Sequence, residues 1–435
     1  MDGGPRYVWY GDDFTGASDT LATVAATGLR TCLFLAPPTP EQLEQVGPLD
    51  ALGIAGTARS LAPQRQREEL RPVADFFGTL RPAVVHYKCC STYDSAPAIG
   101  NLHEGLQALR RTAHTGPAMV LGGQPNLGRY CAFGELYATA GADGEVHRID
   151  RHPTMSRHPV TPMHEADLRR HLGAQGLAPV ALVDLRQLDA GDDTRLDRVI
   201  EAHAADGTQA LLFDATHAGH LHRIGQAWWR RAERHPLLVL GASGVAQALI
   251  AAWPDELPRA PPPAAVEPAT GPVFMLAGSL SPVTAAQVAA AGADYQRVTL
   301  DAAALTSSAT ALDASASACA GAIAAGRSVL AVTSAPGAFA PPAAEVAAAS
   351  GRLLAAVLAR APQLRRVGVA GGDTSSWALR ALAPWALQWA GSLSPGVALL
   401  RARAIDPRID GLELALKGGQ MGPPDVFDRL RSGTR

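Results

Sequence analysis

Short apolar runs alternate with helix-like stretches along most of this 435-residue chain. The alternation is typical of strand–helix–strand units, which build parallel sheets flanked by helices. The first such unit has a predicted strand over 7–10, a polar loop over 11–19, a helix over 20–29 and a second strand over 31–35. We therefore predict an α/β fold with largely parallel sheets, in which ligands bind beyond the carboxyl ends of the strands.

A proline-rich stretch between Trp253 and Pro272 interrupts this alternation. Proline lacks the backbone N–H that a helix or a central strand requires, so the stretch is typical of a linker. We predict two domains, over residues 1–255 and 273–435, joined by a linker over 256–272. The remaining predicted strands lie at 51–54, 83–87, 180–183, 210–213, 237–240, 273–277, 328–332, 367–370 and 412–416, and alanine-rich helices at 302–325 and 343–358.

The composition argues against several classes of partner. The formal net charge is −2 and 18% of the residues are charged, so no field for nucleic acid or a membrane surface is expected. Five cysteines without a CxxC pair indicate a reducing compartment. We expect a cytoplasmic protein, because neither a signal-like leader nor an apolar run of about 18 residues is visible. A homo-oligomer is left open.

Lysine occurs only at Lys88 and Lys417, and the other 36 of the 38 basic residues are arginines. Asparagine also occurs only twice, at Asn101 and Asn126. A compact ammonium and a planar guanidinium are not interchangeable at a binding site. The two lysines are therefore candidate functional residues, one in each predicted domain.

Three glycine-rich loops, at 278–284, 371–376 and 417–422, follow predicted strands of the C-terminal domain. Glycine lets backbone N–H groups approach a ligand, and a helix that follows adds its N-terminal donors. Together the loops favour a phosphate-binding site, although none has the P-loop or GxGxxG pattern. The alternative for each loop is a tight turn.

The second of these loops carries polar side chains. Asp373 is a candidate for holding magnesium or orienting a hydroxyl, and its alternative role is to brace the loop. Thr374 or Ser375 is expected to cap a helix over 377–382.

Two adjacent carboxylates, Asp12 and Asp13, follow the first predicted strand. Carboxylates suit the hydroxyl groups of a polyol and can accept a proton from one. The alternative is the start of a helix, but Ser18 and Asp19 already supply the capping residues for it. That alternative explains Asp12 and Asp13 less well.

A second polar loop follows the strand at 83–87. It supplies the candidate substrate-binding residues Lys88, Ser91, Thr92, Asp94, Ser95 and Asn101. Together with Lys88, Arg59 and Arg129 are suited to bind the carboxylate of a small substrate. The alternative is a solvated loop.

Two further groups carry weaker signals. His217, His220 and His222 have a spacing that suits a metal, but without acidic or cysteine partners we favour a surface helix end and predict no metal-ligating side chains. Cys89 and Cys90 have no signature of a nucleophile around them, so we favour small buried hydrophobic residues.

Three segments resemble a known family. They are DDFTGASDTLATVAATGLRT from residue 12, GGDTSSWALRAL from residue 371 and LKGGQMGPPDVF from residue 416. In order and spacing they resemble the four-carbon acid sugar kinase family, which includes threonate and 3-oxo-tetronate kinases. The resemblance implies an N-terminal domain that binds the sugar acid, a C-terminal domain that binds ATP, and phosphoryl transfer in the cleft between them.

The resemblance also implies positions for the contacts. ATP contacts are expected at Ser279, Gly371, Gly372, Asp373, Thr374, Lys417, Gly418 and Gly419, and acid-sugar contacts at Asp12, Asp13, Arg59 and the Lys88 loop. One departure lies at Lys88, where this chain reads KCCSTYDSAPAIGN and better-known members resemble KKxDSTLRG. The particular sugar acid therefore stays open.

Together these features predict a kinase that uses ATP and Mg²⁺ to phosphorylate the terminal hydroxyl of a small, four-carbon sugar acid, such as a threonate, an erythronate or an oxo-tetronate. Asp13 is the first choice for the proton acceptor and Asp12 the second. Lys88 is assigned to the substrate carboxylate or the transferring phosphoryl group. The rivals are a non-catalytic two-domain sensor and a dinucleotide-dependent dehydrogenase, which the missing GxGxxG disfavours.

Overall fold

The computed structural model describes residues 4–110, 116–140, 144–158, 160–254, 265–278, 281–333 and 341–434. The chain divides into two compact units, Met1–Pro261 and Pro262–Arg435. This division falls within the stretch interpreted above as a linker, of which 256–264 lie outside the described residues. The proposed bounds of that linker stay a prediction.

The first unit is built around a parallel sheet. Its strands among the described residues are β1 (Tyr7–Gly11), β2 (Thr31–Phe34), β3 (Ala51–Ala55), β4 (Val84–Lys88), β5 (Ala118–Leu121), β6 (Arg129–Ala132), β7 (Glu135–Thr139), β8 (Val146–Arg148), β9 (Val180–Val183), β10 (Ala210–Phe213) and β11 (Leu237–Gly241). Eight of them form a sheet in the order β2-β3-β1-β4-β11-β5-β10-β9, with every neighbouring pair parallel. β6, β7 and β8 form a small antiparallel sheet.

Helices connect and cover these strands. They are α1 (Phe14–Ala25), α2 (Pro40–Val46), α3 (Pro63–Leu80), α4 (Leu102–Leu109), α5 (Leu168–Gly173), α6 (Leu185–Asp189), α7 (Asp193–Ala205), α8 (Ala218–Ala232) and α9 (Gly244–Ala251). Every residue of the central strands β1, β4 and β11 is buried. A strand buried on both faces is rich in apolar residues, which is why β1 and β11 appear as continuous apolar runs in the sequence, whereas β4 also carries His86 and Lys88.

The second unit is also built from strands that pair side by side. Its described strands are β12 (Phe274–Ala277), β13 (Tyr295–Leu300), β14 (Ser328–Thr333), β15 (Arg366–Ala370), β16 (Ala386–Ser394), β17 (Val397–Arg403) and β18 (Glu413–Lys417). They lie in the order β13-β14-β12-β15-β18-β17-β16. The first five are parallel, whereas β17 runs antiparallel to both β18 and β16.

The helices of this unit are α10 (Pro282–Ala290), α11 (Ala302–Ser307), α12 (Ala309–Ala324), α13 (Ala343–Arg360), α14 (Gly372–Leu382) and α15 (Val426–Ser432). Met275, Leu330, Phe427 and Leu430 belong to one buried cluster that joins the sheet to α15. Across the described ranges, no helix combines the length and the apolar character needed to span a bilayer.

The α/β prediction is confirmed, and the strands predicted at 180–183 and 210–213 have those bounds. Two predicted elements were wrong. The loop over 11–19 is only two residues long, because Asp13 caps α1. The alanine-rich helix over 302–325 is two helices, because the Ser308 side chain accepts a hydrogen bond from Ala311 N and starts α12 there. The strands that were not predicted are β5, β13 and five strands that form antiparallel pairs, β6, β7, β8, β16 and β17.

Candidate active site

Two neighbouring parallel strands bring the first candidate residues together. Gly11, the last residue of β1, lies opposite Lys88, the last residue of β4. The backbone N–H of Asp12 donates to the carbonyl of Lys88 at 3.0 Å. Asp12 and Asp13 therefore lie beside Lys88 at the carboxyl end of the sheet, and Lys88 belongs to the strand rather than to the loop after it.

Arg59 joins this group from the short 3₁₀ helix Ala58–Ser60. Its Nη2 donates to Asp12 Oδ1 at 2.7 Å and to Asp13 Oδ1 at 2.9 Å, and its Nη1 donates to Asp13 Oδ2 at 3.1 Å. Lys88 Nζ lies 3.4 Å from Asp13 Oδ1. We call Asp12, Asp13, Arg59 and Lys88 the charge cluster; its two carboxylates and two cations compensate one another.

The two carboxyls of the charge cluster differ in pKa. Burial raises the pKa of Asp12, and the attraction of Arg59 does not outweigh it. Burial also acts to raise the pKa of Asp13, but Arg59 and Lys88 outweigh it and lower that pKa below its usual value. Neighbouring carboxyls with opposite shifts have different chemical roles available to them. The lowered pKa keeps Asp13 ionised at neutral pH.

Asp13 also caps α1. Its Oδ1 accepts a hydrogen bond from Gly16 N at 3.0 Å, whereas Ser18 and Asp19 lie inside the helix. The prediction that Ser18 and Asp19 start this helix was wrong, and the capping role belongs to Asp13. A Cβ atom on Gly16 would overlap the Lys88 ammonium, so only glycine allows the first turn of α1 to lie this close to Lys88.

Glu69 of α3 holds the segment that carries Arg59. Its carboxylate accepts hydrogen bonds from Thr57 N and Thr57 Oγ1, each at 2.7 Å, and from the Tyr10 hydroxyl. The N–H of Arg59 donates to Asp12 O at 3.1 Å. No local pattern in the sequence distinguishes Glu69 from a charged residue on a helix surface, so its contacts with Thr57 and Tyr10 could not be predicted.

The loop after Lys88 contains residues of two kinds. Thr92 donates to Asp94 Oδ1 at 2.6 Å, and both side chains are buried beside the charge cluster. Ser91 is half-buried in the same loop. Ser95 contacts His171 Nε2 at 2.9 Å, and Asn101 caps α4 through Glu104 N at 3.0 Å. Ser95 and Asn101 therefore have partners that shape the loop.

Arg129 differs from Arg59 in its hydrogen-bond partners. Its Nη1 donates to the carbonyls of Leu127 at 2.8 Å, Gly128 at 3.3 Å and Thr139 at 3.4 Å. Within the described part of the chain, no carboxylate forms an ion pair with it. Burial lowers the pKa of Arg129, whereas the nearby Cys90 thiol acts to raise it. Arg59 is occupied by two aspartates, so Arg129 is the better placed of the two for a substrate carboxylate.

The cysteines and histidines do not extend the site. Burial raises the pKa of Cys90 to about 11 and that of Cys89 well above its usual value, which is unlike an activated thiol. His217 is the N-cap of α8, so the predicted helix end is confirmed.

His220 has an acidic partner that the sequence did not predict, because Asp189 Oδ1 lies 2.8 Å from its Nε2. However, Nδ1 of His217 accepts from Gly219 N at 3.1 Å, and Nδ1 of His220 accepts from Thr216 N at 3.2 Å. Metal-ligating histidines usually donate their second ring N–H. The hydrogen bonds therefore favour the helix end over a metal site.

In the second unit, three neighbouring strands end together. Gly278 N donates to Ala370 O at 3.1 Å, and Gly371 N donates to Lys417 O at 2.9 Å. The loops after β12, β15 and β18 therefore begin side by side. A Cβ atom on Gly278 would overlap Thr374 Oγ1, so glycine is required for this close approach. Ser279 lies outside the described residues.

Gly371 and the start of α14 differ from the prediction. Gly371 has a φ of 122°, a conformation that glycine adopts without strain, and it is the N-cap of α14. Thr374 and Ser375 do not cap the helix; both are buried within its first turn. Gly372 is half-buried and Asp373 is exposed in the same turn.

Lys417 is the last residue of β18 and is 2% exposed. Its Nζ donates to Thr284 Oγ1 at 3.2 Å, and no carboxylate of the described residues forms an ion pair with it. Burial lowers its pKa to about 8. Gly418 and Gly419 follow it and are half-buried. A buried ammonium without a counterion is suited to an anionic ligand.

Comparisons with known proteins agree with this division of the chain. A family model described as a sugar-binding N-terminal domain matches residues 7–249, and one described as a nucleotide-binding C-terminal domain matches residues 274–427. A 3-oxo-isoapionate kinase of Paraburkholderia graminis is 36% identical, over 98% of this chain and 94% of that protein. A 3-oxo-tetronate kinase of Methylobacterium radiotolerans is 32% identical, over 96% of each chain.

A solved structure from Salmonella typhimurium LT2, described as a putative tRNA synthase, is also similar. It is 26% identical, with a TM-score of 0.81 over 97% of this chain and 98% of that one.

Proposed function

The chain belongs to the four-carbon acid sugar kinase family, and we propose that it is an ATP-dependent kinase that phosphorylates the terminal hydroxyl of a small sugar acid. The observation that carries the proposal is Lys417, a buried ammonium that ends β18 beside two glycine-rich loops and has no counterion among the described residues. A nucleotide phosphate supplies the missing negative charge.

We assign nucleotide binding to the second unit. Its glycine-rich loops allow backbone N–H groups to approach phosphate oxygens, and α14 adds the donors of its first turn. The contacts proposed there are Ser279, Gly371, Gly372, Asp373, Thr374, Lys417, Gly418 and Gly419. Magnesium, when bound with ATP, neutralises charge on the phosphates, and the exposed carboxylate of Asp373 has the oxygen ligands that this ion prefers.

We assign the sugar acid to the first unit. Asp13 accepts the proton of the substrate hydroxyl as its oxygen bonds to the γ-phosphorus and the bond from that phosphorus to the β,γ-bridging oxygen breaks. Arg59 holds Asp12 and Asp13 in place, and Lys88 neutralises charge beside Asp13. Arg129, which lacks a carboxylate partner among the described residues, receives the substrate carboxylate.

The names of two relatives support a proposal for the substrate class. The two curated relatives are named for 3-oxo acids. We propose a 3-oxo sugar acid as the substrate of this chain. Thr92, Asp94 and Ser91 lie in the loop that differs from the family pattern and are proposed to contact its hydroxyl groups, whereas Ser95 and Asn101 shape that loop. Transfer in a cleft between the domains, homo-oligomer formation and a cytoplasmic location stay predictions.

The test is an ADP-release assay over a panel of 3-oxo-tetronate, threonate and erythronate, with mass detection of the phosphorylated product. We expect ADP release and a product heavier by one phosphoryl group with at least one acid. Binding of ADP and an acid without turnover would favour the sensor. Binding of a nicotinamide dinucleotide in place of ADP would favour the dehydrogenase.

A further inference from the structure

One face of α10 holds the loop that begins at Lys417. Ser281, Thr284 and Gln287 are spaced three residues apart, so they lie on the same side of the helix. Their side chains donate hydrogen bonds to backbone carbonyls of residues 417–423, which we call the lysine loop. Ser281 and Thr284 donate to Gly419 O, and Gln287 Nε2 donates to the carbonyls of Met421 at 3.0 Å, Gly422 at 2.8 Å and Pro423 at 3.1 Å.

Thr284 has a second contact that the other two lack. Its Oγ1 donates to Gly419 O at 2.9 Å and accepts from Lys417 Nζ at 3.2 Å. A hydroxyl has one donor and two acceptor sites, so both bonds can form at once. Thr284 is 1% exposed and Lys417 is 2% exposed, so water does not readily replace either bond. One hydroxyl thus ties the ammonium to the loop that follows it.

These bonds also orient the N–H groups of the lysine loop. In a trans peptide the C=O and the N–H point in opposite directions. The carbonyls of Gly419 and Met421 point towards α10, so the N–H groups of Gln420 and Gly422 point away from it. In the described residues neither N–H donates to another backbone group. The next two peptide nitrogens belong to Pro423 and Pro424 and carry no hydrogen.

The lysine loop therefore has two kinds of available donor, an ammonium and backbone N–H groups. Lys417 has two ammonium hydrogens beyond the one it gives to Thr284, and the N–H groups of Gln420 and Gly422 have no backbone partner among the described residues. Ammonium and backbone donors of this kind bind phosphate oxygens.

We propose that Thr284 is a positioning residue for nucleotide binding: its hydroxyl fixes the Lys417 ammonium relative to the Gly419 carbonyl, and so sets the positions at which the lysine and the lysine loop meet the nucleotide phosphates. This inference rests on the proposed kinase function. Thr284 acts through Lys417 and the loop and itself contacts no substrate.

Two variants of Thr284 separate the contribution of its hydroxyl from that of its side-chain shape. Thr284→Val keeps the shape and removes both hydrogen bonds, whereas Thr284→Ser keeps the hydroxyl. Thr306→Val is the matched control, because Thr306 also donates to helix carbonyls in the second unit, to Ala302 O at 3.0 Å and Ala303 O at 2.9 Å. It lies on α11, away from the lysine loop.

The experiment measures ADP affinity by calorimetry, KM for both substrates, kcat and Tm for each variant. We expect Thr284→Val to weaken ADP binding roughly 10- to 100-fold, as expected when a hydrogen bond to a charged group is lost. KM for the acid should stay within about threefold of the wild-type value, since the acid binds elsewhere. Thr284→Ser should recover ADP binding to within about threefold of wild type, and Thr306→Val should leave it unchanged.

Wild-type ADP affinity in a folded Thr284→Val protein would overturn the proposal, as would equal losses in Thr284→Val and Thr284→Ser. If Thr284→Val does not fold, Thr284→Ala, which adds no new methyl contact, is judged by the same criteria. Failure of the wild-type protein to bind ADP would overturn the kinase proposal and this inference together. If the wild-type protein binds ADP normally and Thr284→Val binds it equally well, only this inference is overturned and the kinase proposal stands.

Discussion

The two lysines of the chain lie in equivalent places and have opposite environments. Each is the last residue of a buried parallel strand, Lys88 on β4 and Lys417 on β18. Burial acts to lower the pKa of Lys88, but the attraction of Asp13 together with that of Asp12 outweighs it, and the pKa is raised. Burial alone lowers the pKa of Lys417 to about 8. One lysine is already neutralised by the protein, and the other requires a ligand to supply the negative charge.

The candidate sites of the two units therefore differ in how their charges are balanced. The charge cluster of the first unit is internally compensated, so it can hold a neutral hydroxyl and take its proton. The lysine loop of the second unit presents uncompensated donors, so it favours an anion. Changes in the first unit should therefore affect turnover, and changes in the second should affect nucleotide affinity.

The largest expected effect is that of Asp13→Asn. The amide cannot accept the substrate proton, so kcat should fall about 100- to 10,000-fold, the usual contribution of a general base. ADP affinity, measured by calorimetry, should change less than about threefold, since no transition-state interaction contributes to it. Unchanged kcat would remove Asp13 from the mechanism.

Lys417→Met should have the next largest effect, on affinity. Loss of the ammonium should weaken ADP binding roughly 10- to 150-fold, the range for a hydrogen bond to a charged group. Lys417→Arg should also weaken it, because a guanidinium does not fit the position of a compact ammonium beside Thr284. KM for the acid is the internal control. Normal ADP binding by both variants would show that Lys417 has no role in nucleotide binding.

Gly16→Ala tests the compensation of the charge cluster without altering a charge. The added methyl would displace both the Lys88 ammonium and the Asp13 carboxylate, and a displacement of about 1 Å at such a site costs on the order of 10- to 100-fold in kcat. Gly321→Ala in α12 is the matched control, because a Cβ there meets nothing within 4 Å. The control should gain about 0.5–1 kcal/mol of stability and keep its activity. Equal activity of the two variants would contradict the role given to Lys88.

The smallest expected effect is a difference in pH dependence. Above pH 8 the Lys417 ammonium loses its proton, so ADP affinity should fall by up to about tenfold per pH unit. The raised pKa of Lys88 keeps that lysine charged, so KM for the acid should be level between pH 7 and 9. Lys417→Arg should make the ADP profile level as well, and a level wild-type profile would contradict a titrating Lys417.

Much of the fold could be predicted from the sequence because buried parallel strands are continuous apolar runs. Ala210–Phe213 is such a run, and the apolar run Val180–Val183 also has the predicted bounds, although β9 is mostly half-buried. The small sheet β6–β8 was missed because polar and apolar residues are mixed along its strands, so no continuous apolar run marks them. The start of α1 was misplaced because Asp13 has two uses, as a helix cap and as a member of the charge cluster.

The candidate residues were harder to predict than the strands. Asp12, Asp13 and Lys88 could be identified because each lies at or just beyond the carboxyl end of a strand, where ligands bind. The partner of Arg59 could not be identified in this way, since 47 residues separate Arg59 from Asp12. The same is true of Thr284 and Lys417, which are 133 residues apart.

The sequence by itself determined the α/β rhythm, the two-part organisation, the family and the strand ends where polar residues collect, because each of these is a property of consecutive residues. The tertiary structure decided which charges meet. Strand order placed Lys88 beside two aspartates and Lys417 beside a threonine, and the pKa of a buried ammonium depends on those neighbours. The scarcity of lysine marked both positions, and only the folded chain showed that one lysine is already neutralised and that the other has no counterion in the part of the chain that the structure describes.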